Sequence, residues 1–310
     1  MGGVRRIFSD RNDLLLAVLA IPLYVAAVGR YGFKILFALL ISVIIGTVVE
    51  IAAFKIRKKE IDLLGYPAWI LFPLVLPPVF PLWMTGVAFF FGVVIGVAFF
   101  GGHGRTLVSP VAIAWAFAVL SFPFAFDTAW SLPFSTPFFG FKHYIAAVLT
   151  VDHPLVYFDH RIPKSITDIL IGNFPQPPDN AIPYVVLGCG VLLLLLRVID
   201  FRMCLSFVGT VALLAVSGKF LFPLVFQHGF ELFIGDLFFA AFFIIADRRI
   251  SPRTHTGSWL TGILTGMIAF ITRSFSSYPD STFFAVLFGN VFSAIIDEGV
   301  LKYTYKGIHQ

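Results

Sequence analysis

Charge is scarce in this sequence. Asp, Glu, Lys and Arg make up 13% of its 310 residues, against about 25% in a soluble globular domain. So few charges cannot cover the water-facing surface of a chain this size. Soluble globular, disordered, collagenous and coiled-coil readings are therefore excluded. Cysteine is scarcer still, with only Cys189 and Cys204. They form no C-x-x-C or C-x-x-C-H, which removes zinc ribbons, c-type haem attachment and a disulfide framework; no metal site is expected, and two buried thiols is the plain reading. Also missing are H-E-x-x-H, G-x-S-x-G, a Walker A loop and a dinucleotide fingerprint, so hydrolytic and ATP-driven chemistry has no support. The excess of Lys and Arg (22) over Asp and Glu (17) is not a nucleic-acid signal. The basic residues are scattered between apolar runs, where they act as topology determinants.

What the chain has in abundance is apolar surface: 58% hydrophobic residues, 38 of them Phe, with a mean hydropathy of +0.92. This composition describes a polytopic membrane protein whose first partner is the lipid bilayer. A helix needs about 20 apolar residues to cross. Ten runs come near that: 14–28, 33–54, 63–80, 82–100, 108–124, 182–199, 203–216, 229–246, 258–271 and 282–296. The first follows Arg5, Arg6 and Arg11 with no small-residue cleavage pattern after it, so it is expected as a span rather than a signal peptide. The third is interrupted by Pro67, Pro73, Pro77 and Pro78. Such breaks survive in a membrane only where protein or a wet cavity satisfies the freed backbone, which points to half-helices around a central site.

The runs fall as five, a polar and proline-rich stretch at 125–181, then five. The expectation is an all-α fold of about ten spans in one membrane domain, 1–310, with halves 1–124 and 182–310. An odd number of spans per half places the halves in opposite orientation, the arithmetic of an inverted repeat, although the two halves share no convincing sequence similarity. With the N-terminus cytoplasmic, fifteen of the 22 Lys and Arg fall on the inner side and seven on the outer. The positive-inside rule thus supports the ten-span arrangement, sets both termini in the cytoplasm and puts 125–181 outside.

Charged groups within spans are expensive and are functional candidates by default. They are Glu50, Asp236, Asp247 and Asp297. Glu50, Asp247 and Asp297 lie near inner span ends, where snorkelling to the interface competes with a place on an ion path. Asp236 lies deeper. Gly101-Gly102-His103-Gly104-Arg105 joins two spans ahead of Ser109-Pro110, a good helix start. Its glycines permit either a plain tight turn or a cradle for an anion or a flavin ring. His143, His153 and His160 lie in the outer stretch as solvated or interface residues.

These residues resemble a family that comprises the D subunit of the Rnf complex and the B subunit of the sodium-pumping NADH:quinone reductase. Leu76-Pro77-Pro78 through Pro81-Leu82-Trp83-Met84, then Phe100-Gly101-Gly102-His103-Gly104-Arg105, is similar to the family's L-P-P-x-x-P-x-W-M and F-G-G-x-G-R blocks. Ala241-Phe242-Phe243-Ile244-Ile245-Ala246-Asp247 resembles A-F-F-I-x-T-D. Arg273 with Tyr278-Pro279-Asp280, then Phe284-Ala285-Val286-Leu287, Asn290 and Ile296-Asp297, resembles the last block. The blocks keep the family's order across about residues 70–300.

The resemblance implies a ten-helix fold similar to urea transporters. It implies a prokaryotic plasma (inner) membrane complex that passes electrons through flavins and moves Na+ or H+. It also implies FMN joined by a phosphodiester to a threonine in the outer stretch. Here His153, in Val151-Asp152-His153-Pro154-Leu155, stands where that threonine belongs, so the linkage cannot form at that position; Thr150 lies three positions earlier and Thr136 and Thr167 further away, none with the family's flanks. The family's S-G-x-T-M reads Ile234-Gly235-Asp236-Leu237-Phe238. Three functions are expected in order. The first is a redox translocase subunit using non-covalent flavin or quinone near Gly101, Gly102, Gly104, Arg105 and His153, with Glu50, Asp236, Asp247 and Asp297 on the ion path, beside flavoprotein, iron–sulfur or cytochrome subunits. The second is an anchor without its own cofactor. The third is a urea-transporter-like pathway for an ion or solute.

Overall fold

The computed structural model describes residues 11–56, 67–99, 107–130, 178–221, 235–246, 250–275 and 281–306. Every regular element among them is helical: α1 (Arg11–Tyr31), α2 (Lys34–Ile56), α3 (Pro67–Leu71), α4 (Leu82–Val93), α5 (Pro110–Ser121), α6 (Pro123–Thr128), α7 (Pro183–Leu195), α8 (Phe201–Leu221), α9 (Leu237–Phe239), α10 (His255–Phe275) and α11 (Thr282–Lys306). In lipid a helix satisfies its own backbone, so apolar runs have this one local solution. Proline opens α3, α5, α6 and α7, where its missing N–H costs nothing.

Five helices among the described residues have the length and apolarity to cross a membrane: Arg11–Tyr31, Lys34–Ile56, Leu82–Phe99, Phe201–Gly218 and Thr282–Thr304. The other described runs fall short for visible reasons. Pro110–Ser121 and Pro183–Leu195 are short apolar helices. α10 is long enough but carries a stripe of Ser, Thr and Gly that lowers its hydropathy. The third and eighth runs are broken.

The third run is α3, a 3-10 turn at Phe72–Val75 containing Pro73, and an extended Leu76 ahead of Pro77. The chain must leave helix there because the residue before a proline is pushed to extended geometry. Other elements take up the freed backbone. Val79 N–H donates to the Ala129 carbonyl at 3.1 Å, Lys34 Nζ donates to the Val79 carbonyl at 2.7 Å, and Tyr24 Oη donates to Ile70 O at 2.6 Å. The eighth run is the single turn α9 followed by a π-helical stretch, Ala240–Ile245. A second π stretch, Val94–Phe99, continues α4. π geometry inside a helix is rare and concentrates at functional sites.

The two halves pack alike. In the first, α2 packs on α4 and α4 on α5; in the second, α8 packs on α10 and α10 on α11. The broken element of each half touches its own first, second and fifth runs: α3 with its 3-10 turn meets α1, α2 and α5, and α9 with its π stretch meets α7, α8 and α11. Across the halves α1 meets α7 and α5 meets α11. The described elements of the two halves thus share a packing order.

One buried apolar cluster draws on elements of both halves, and the outside is apolar too. Ile21, Val25, Leu40 and Val48 on α1 and α2, and Leu205, Leu213 and Ile295 on α8 and α11, are exposed. A soluble surface could not hold them; a lipid-facing one requires them.

Candidate functional site

Gly235 adopts φ 77°, a backbone state glycine holds without strain, and so turns the chain into α9. Asp236 follows as the first residue of that turn; its carbonyl accepts from Ala240 N–H at 2.7 Å. Arg273 stands in the last turn of α10 and Thr282 opens α11. The three side chains meet. Arg273 Nη1 donates to Asp236 Oδ1 at 2.6 Å and to Thr282 Oγ1 at 2.9 Å, and Thr282 Oγ1 donates to the same Asp236 oxygen at 2.7 Å. The Asp236 side chain is 0% exposed and that of Arg273 3%.

Each ion alone would cost several kcal/mol in such surroundings, on the order of the penalty known for uncompensated buried charges. Together, with a hydroxyl bridging them, they form a neutral, tightly held group. Aromatic residues follow it closely in the chain. Trp115 on α5 packs against Phe283 and Phe284 beside Thr282, with ring centroids 5.3 and 5.1 Å away, and against Phe126 at 5.8 Å. Phe239 and Phe243 stack at 5.0 Å just beyond Asp236. The ion pair thus lies close to the seam where α5 of one half meets α11 of the other.

Asp297, expected on the ion path, is held at a helix start. It sits on α11 beside the start of α10, and its carboxylate accepts from Arg253 N–H at 2.9 Å, Thr254 N–H at 3.0 Å and the Thr254 hydroxyl. Thr254 Oγ1 in turn accepts from Gly257 N–H at 3.1 Å. Asp297 therefore completes the N-terminal cap of α10 from another helix, where a carboxylate also complements the helix dipole. Asp297→Asn keeps one acceptor and loses the charge. It is expected to cost about 1 kcal/mol of stability, read as a lower detergent melting temperature.

Glu50 lies in the last two turns of α2 and is 3% exposed, so it is buried and does not snorkel. One turn earlier the Trp69 indole from the broken third run lies directly on Gly46, where a Cβ would have no room. Asp236 takes its side-chain partners from Arg273 and Thr282. Gly101, Gly102, Gly104, Arg105, His153 and Asp247 lie outside the described residues. Among the described residues no three His, Cys, Asp or Glu gather as metal ligands.

Sequence reasoning finds Asp236 but misses its partners. Arg273 is legible only as an outer-side cation closing an apolar run. The signal that pairs them is topological: in the ten-span order expected from the sequence, the eighth run begins and the ninth ends on one side, each with its charge near that end.

Fold and site together define a class: a polytopic helical membrane protein of two similarly packed halves, with broken spans and an ion pair buried where one break begins. Residues 8–306 match the NQR2, RnfD, RnfE family, and the chain belongs to that family. It is 27% identical to the D subunit of the ion-translocating oxidoreductase complex of Buchnera aphidicola subsp. Acyrthosiphon pisum (strain 5A), over 95% of each chain. It is 28% identical to the B subunit of the Na(+)-translocating NADH-quinone reductase of Ectopseudomonas mendocina (strain ymp), over 86% of this chain and 66% of the relative. Identity to the corresponding protein of Klebsiella pneumoniae (strain 342) is 27%, over 94% and 68%.

Proposed function

We propose that this chain is a membrane subunit of an ion-translocating redox complex of the Rnf and Nqr kind, coupling electron transfer to movement of Na+ or H+. The observation that carries the reading is the family match across residues 8–306, in a chain that keeps a buried Asp236–Arg273 pair at a broken span. Ion pairs buried this fully are maintained against a solvation cost and mark ion pathways in membrane proteins. The chain is read as a ten-span protein of the prokaryotic plasma membrane, similar in fold to urea transporters, with both termini cytoplasmic. Contacts between span ends support this topology. Asp236, Arg273 and Thr282 share one end of the second half, and Asp297, Arg253 and Thr254 the other, as alternating spans require.

Flavoprotein, iron–sulfur or cytochrome subunits are the expected partners, since a membrane subunit of this kind needs neighbours within electron-tunnelling reach. The donor chemistry of His153 does not fit a phosphodiester-linked FMN, because imidazole offers no hydroxyl. A flavin or quinone here would be held without that bond, beside Gly101, Gly102, Gly104 and Arg105. The purified subunit is expected to show no fluorescent band under ultraviolet light in a denaturing gel, with peptide masses equal to sequence; a fluorescent band overturns this. The same loss favours a second reading, an anchor that keeps the fold and has no cofactor of its own. Purification of the tagged chain from native membranes in mild detergent tests the main reading. Stoichiometric redox subunits are expected beside it, and a chain that purifies alone, without chromophore-bearing partners, sinks it.

A further inference from the structure

The buried polar stripe of α10 carries more than helix packing requires. Ser258, Thr261 and Thr265 lie on one face of α10 and are 1%, 0% and 1% exposed. α10 and α11 run antiparallel, with Thr254 against Asp297, Thr265 against Gly289 and Arg273 against Thr282. This register sets Thr261 level with Asn290 and Ser293, which are 4% and 6% exposed. The seam thus runs from the Asp297 cap at one end to the Asp236–Arg273 pair at the other.

Some of these groups are ordinary glue between membrane helices. Thr265 Oγ1 donates to Thr261 O at 2.8 Å, and Ser293 Oγ to Asn290 O at 2.8 Å. Others have no hydrogen-bond partner among the described residues: Thr261 Oγ1 and Asn290 Nδ2 in mid-seam, and Ser281 Oγ and Asp236 Oδ2 at its end. Leaving such a buried group unsatisfied costs about 1–3 kcal/mol, and in native proteins a group of this kind is ordinarily met by an ordered water. The chemistry of the four selects the ligand. An amide group, two hydroxyls and a carboxylate oxygen between them ask for both a donor and an acceptor, and water is both.

We propose that the α10–α11 seam holds internal water hydrogen-bonded to Thr261 and Asn290, and that this water and the seam hydroxyls conduct protons as far as Asp236. The Asp236–Arg273–Thr282 group closes the seam as a neutral plug: its guanidinium repels a passing cation, and Asp236 Oδ2 is the acceptor it leaves over at that end. This inference rests on the proposed function only for its use in coupling; the water itself does not depend on it.

Two measurements test it. In inverted membrane vesicles carrying the intact complex, Thr261→Val keeps the side-chain shape and removes the hydroxyl. Proton uptake driven by electron transfer is expected to fall about tenfold, the effect of one lost hydrogen-bonded link on a barrier, while Thr261→Ser stays near wild type and complex assembly is unchanged. Wild-type uptake in both Thr261→Val and Asn290→Leu overturns the proposal, as does a loss confined to Na+ uptake. If Asn290→Leu does not assemble, Thr261→Val decides alone. Radiolytic footprinting in ¹⁸O-water on the purified wild-type protein is the second. Label is expected on side chains flanking Thr261 and Asn290, and its absence there overturns the internal water. If wild-type vesicles take up no ion at all, the redox-coupling reading fails and the footprint alone judges the seam.

Discussion

Asp236→Ala is expected to destabilise the protein by about 3–5 kcal/mol, because it removes one partner of a buried ion pair and leaves the other in place. Arg273 is 3% exposed, and its Nη1 donates to Asp236 and Thr282. Of these two partners only Asp236 carries a charge. The paired change Asp236→Leu with Arg273→Met removes both charges at similar volume. It is expected to recover most of the lost stability, since a buried ion pair is often no more stable than well-packed apolar side chains. The folded fraction after a thermal challenge in detergent separates the cases. Equal damage from single and double variants would mean that Arg273 is neutralised by something other than Asp236. Asp236→Asn keeps the hydrogen-bond acceptor and removes the charge, so it isolates the ionic part. Its stability is expected between those of wild type and Asp236→Ala, and its ion-coupled activity is expected to change.

Gly262→Leu carries the other large effect. A Cβ at Gly262 would fall on the Ser206 side chain and 2.7 Å from the Met203 carbonyl oxygen of α8. The side chain can move, but the carbonyl belongs to helix backbone and cannot. In a membrane, helices are held by close packing rather than by a hydrophobic driving force between them, so this contact matters more than in water. Overpacking by even a few atoms costs about 1–3 kcal/mol, and a leucine here drives α10 from α8 altogether. The expected result is little monodisperse protein on size-exclusion chromatography. Gly209→Leu is the control: Gly209 lies on the exposed face of α8 with nothing within 4 Å, and its yield is expected to match wild type. Equal loss from both would show that glycine acts on helix flexibility instead.

The fold is legible where apolarity decides it. Runs of about 15–25 apolar residues have only one way to satisfy their backbone in lipid, so the described runs are helices nearly where composition places them. The break at Pro73, Pro77 and Pro78 is equally plain, because proline acts locally. The break at Gly235-Asp236 is not, since Gly and Asp inside an apolar run carry no obligatory geometry, and glycine takes φ 77° as readily as a helical angle. The site is legible in part. Asp236 stands out because a charge in a span is expensive anywhere. Its pairing with Arg273, 37 positions on, is a fact of packing between α9 and α10 that no local pattern encodes. Asp297 shows the converse. Its place in a span end singles it out for ion traffic, whereas three hydrogen bonds from the start of α10 give it a cap to maintain. Charge alone marks a residue as costly; what offsets the cost has to be read from its neighbours.

Coupling of electron transfer to ion movement is open to a direct test in inverted vesicles. Vesicles from cells lacking the chain are compared with vesicles from cells carrying it; electron transfer is started and internal H+ and Na+ are followed. Uptake of one of these ions is expected to require the chain, and to be abolished by Asp236→Ala introduced with assembly verified. Electron transfer and ion uptake that proceed at the same rates without the chain would mean that it has no part in coupling.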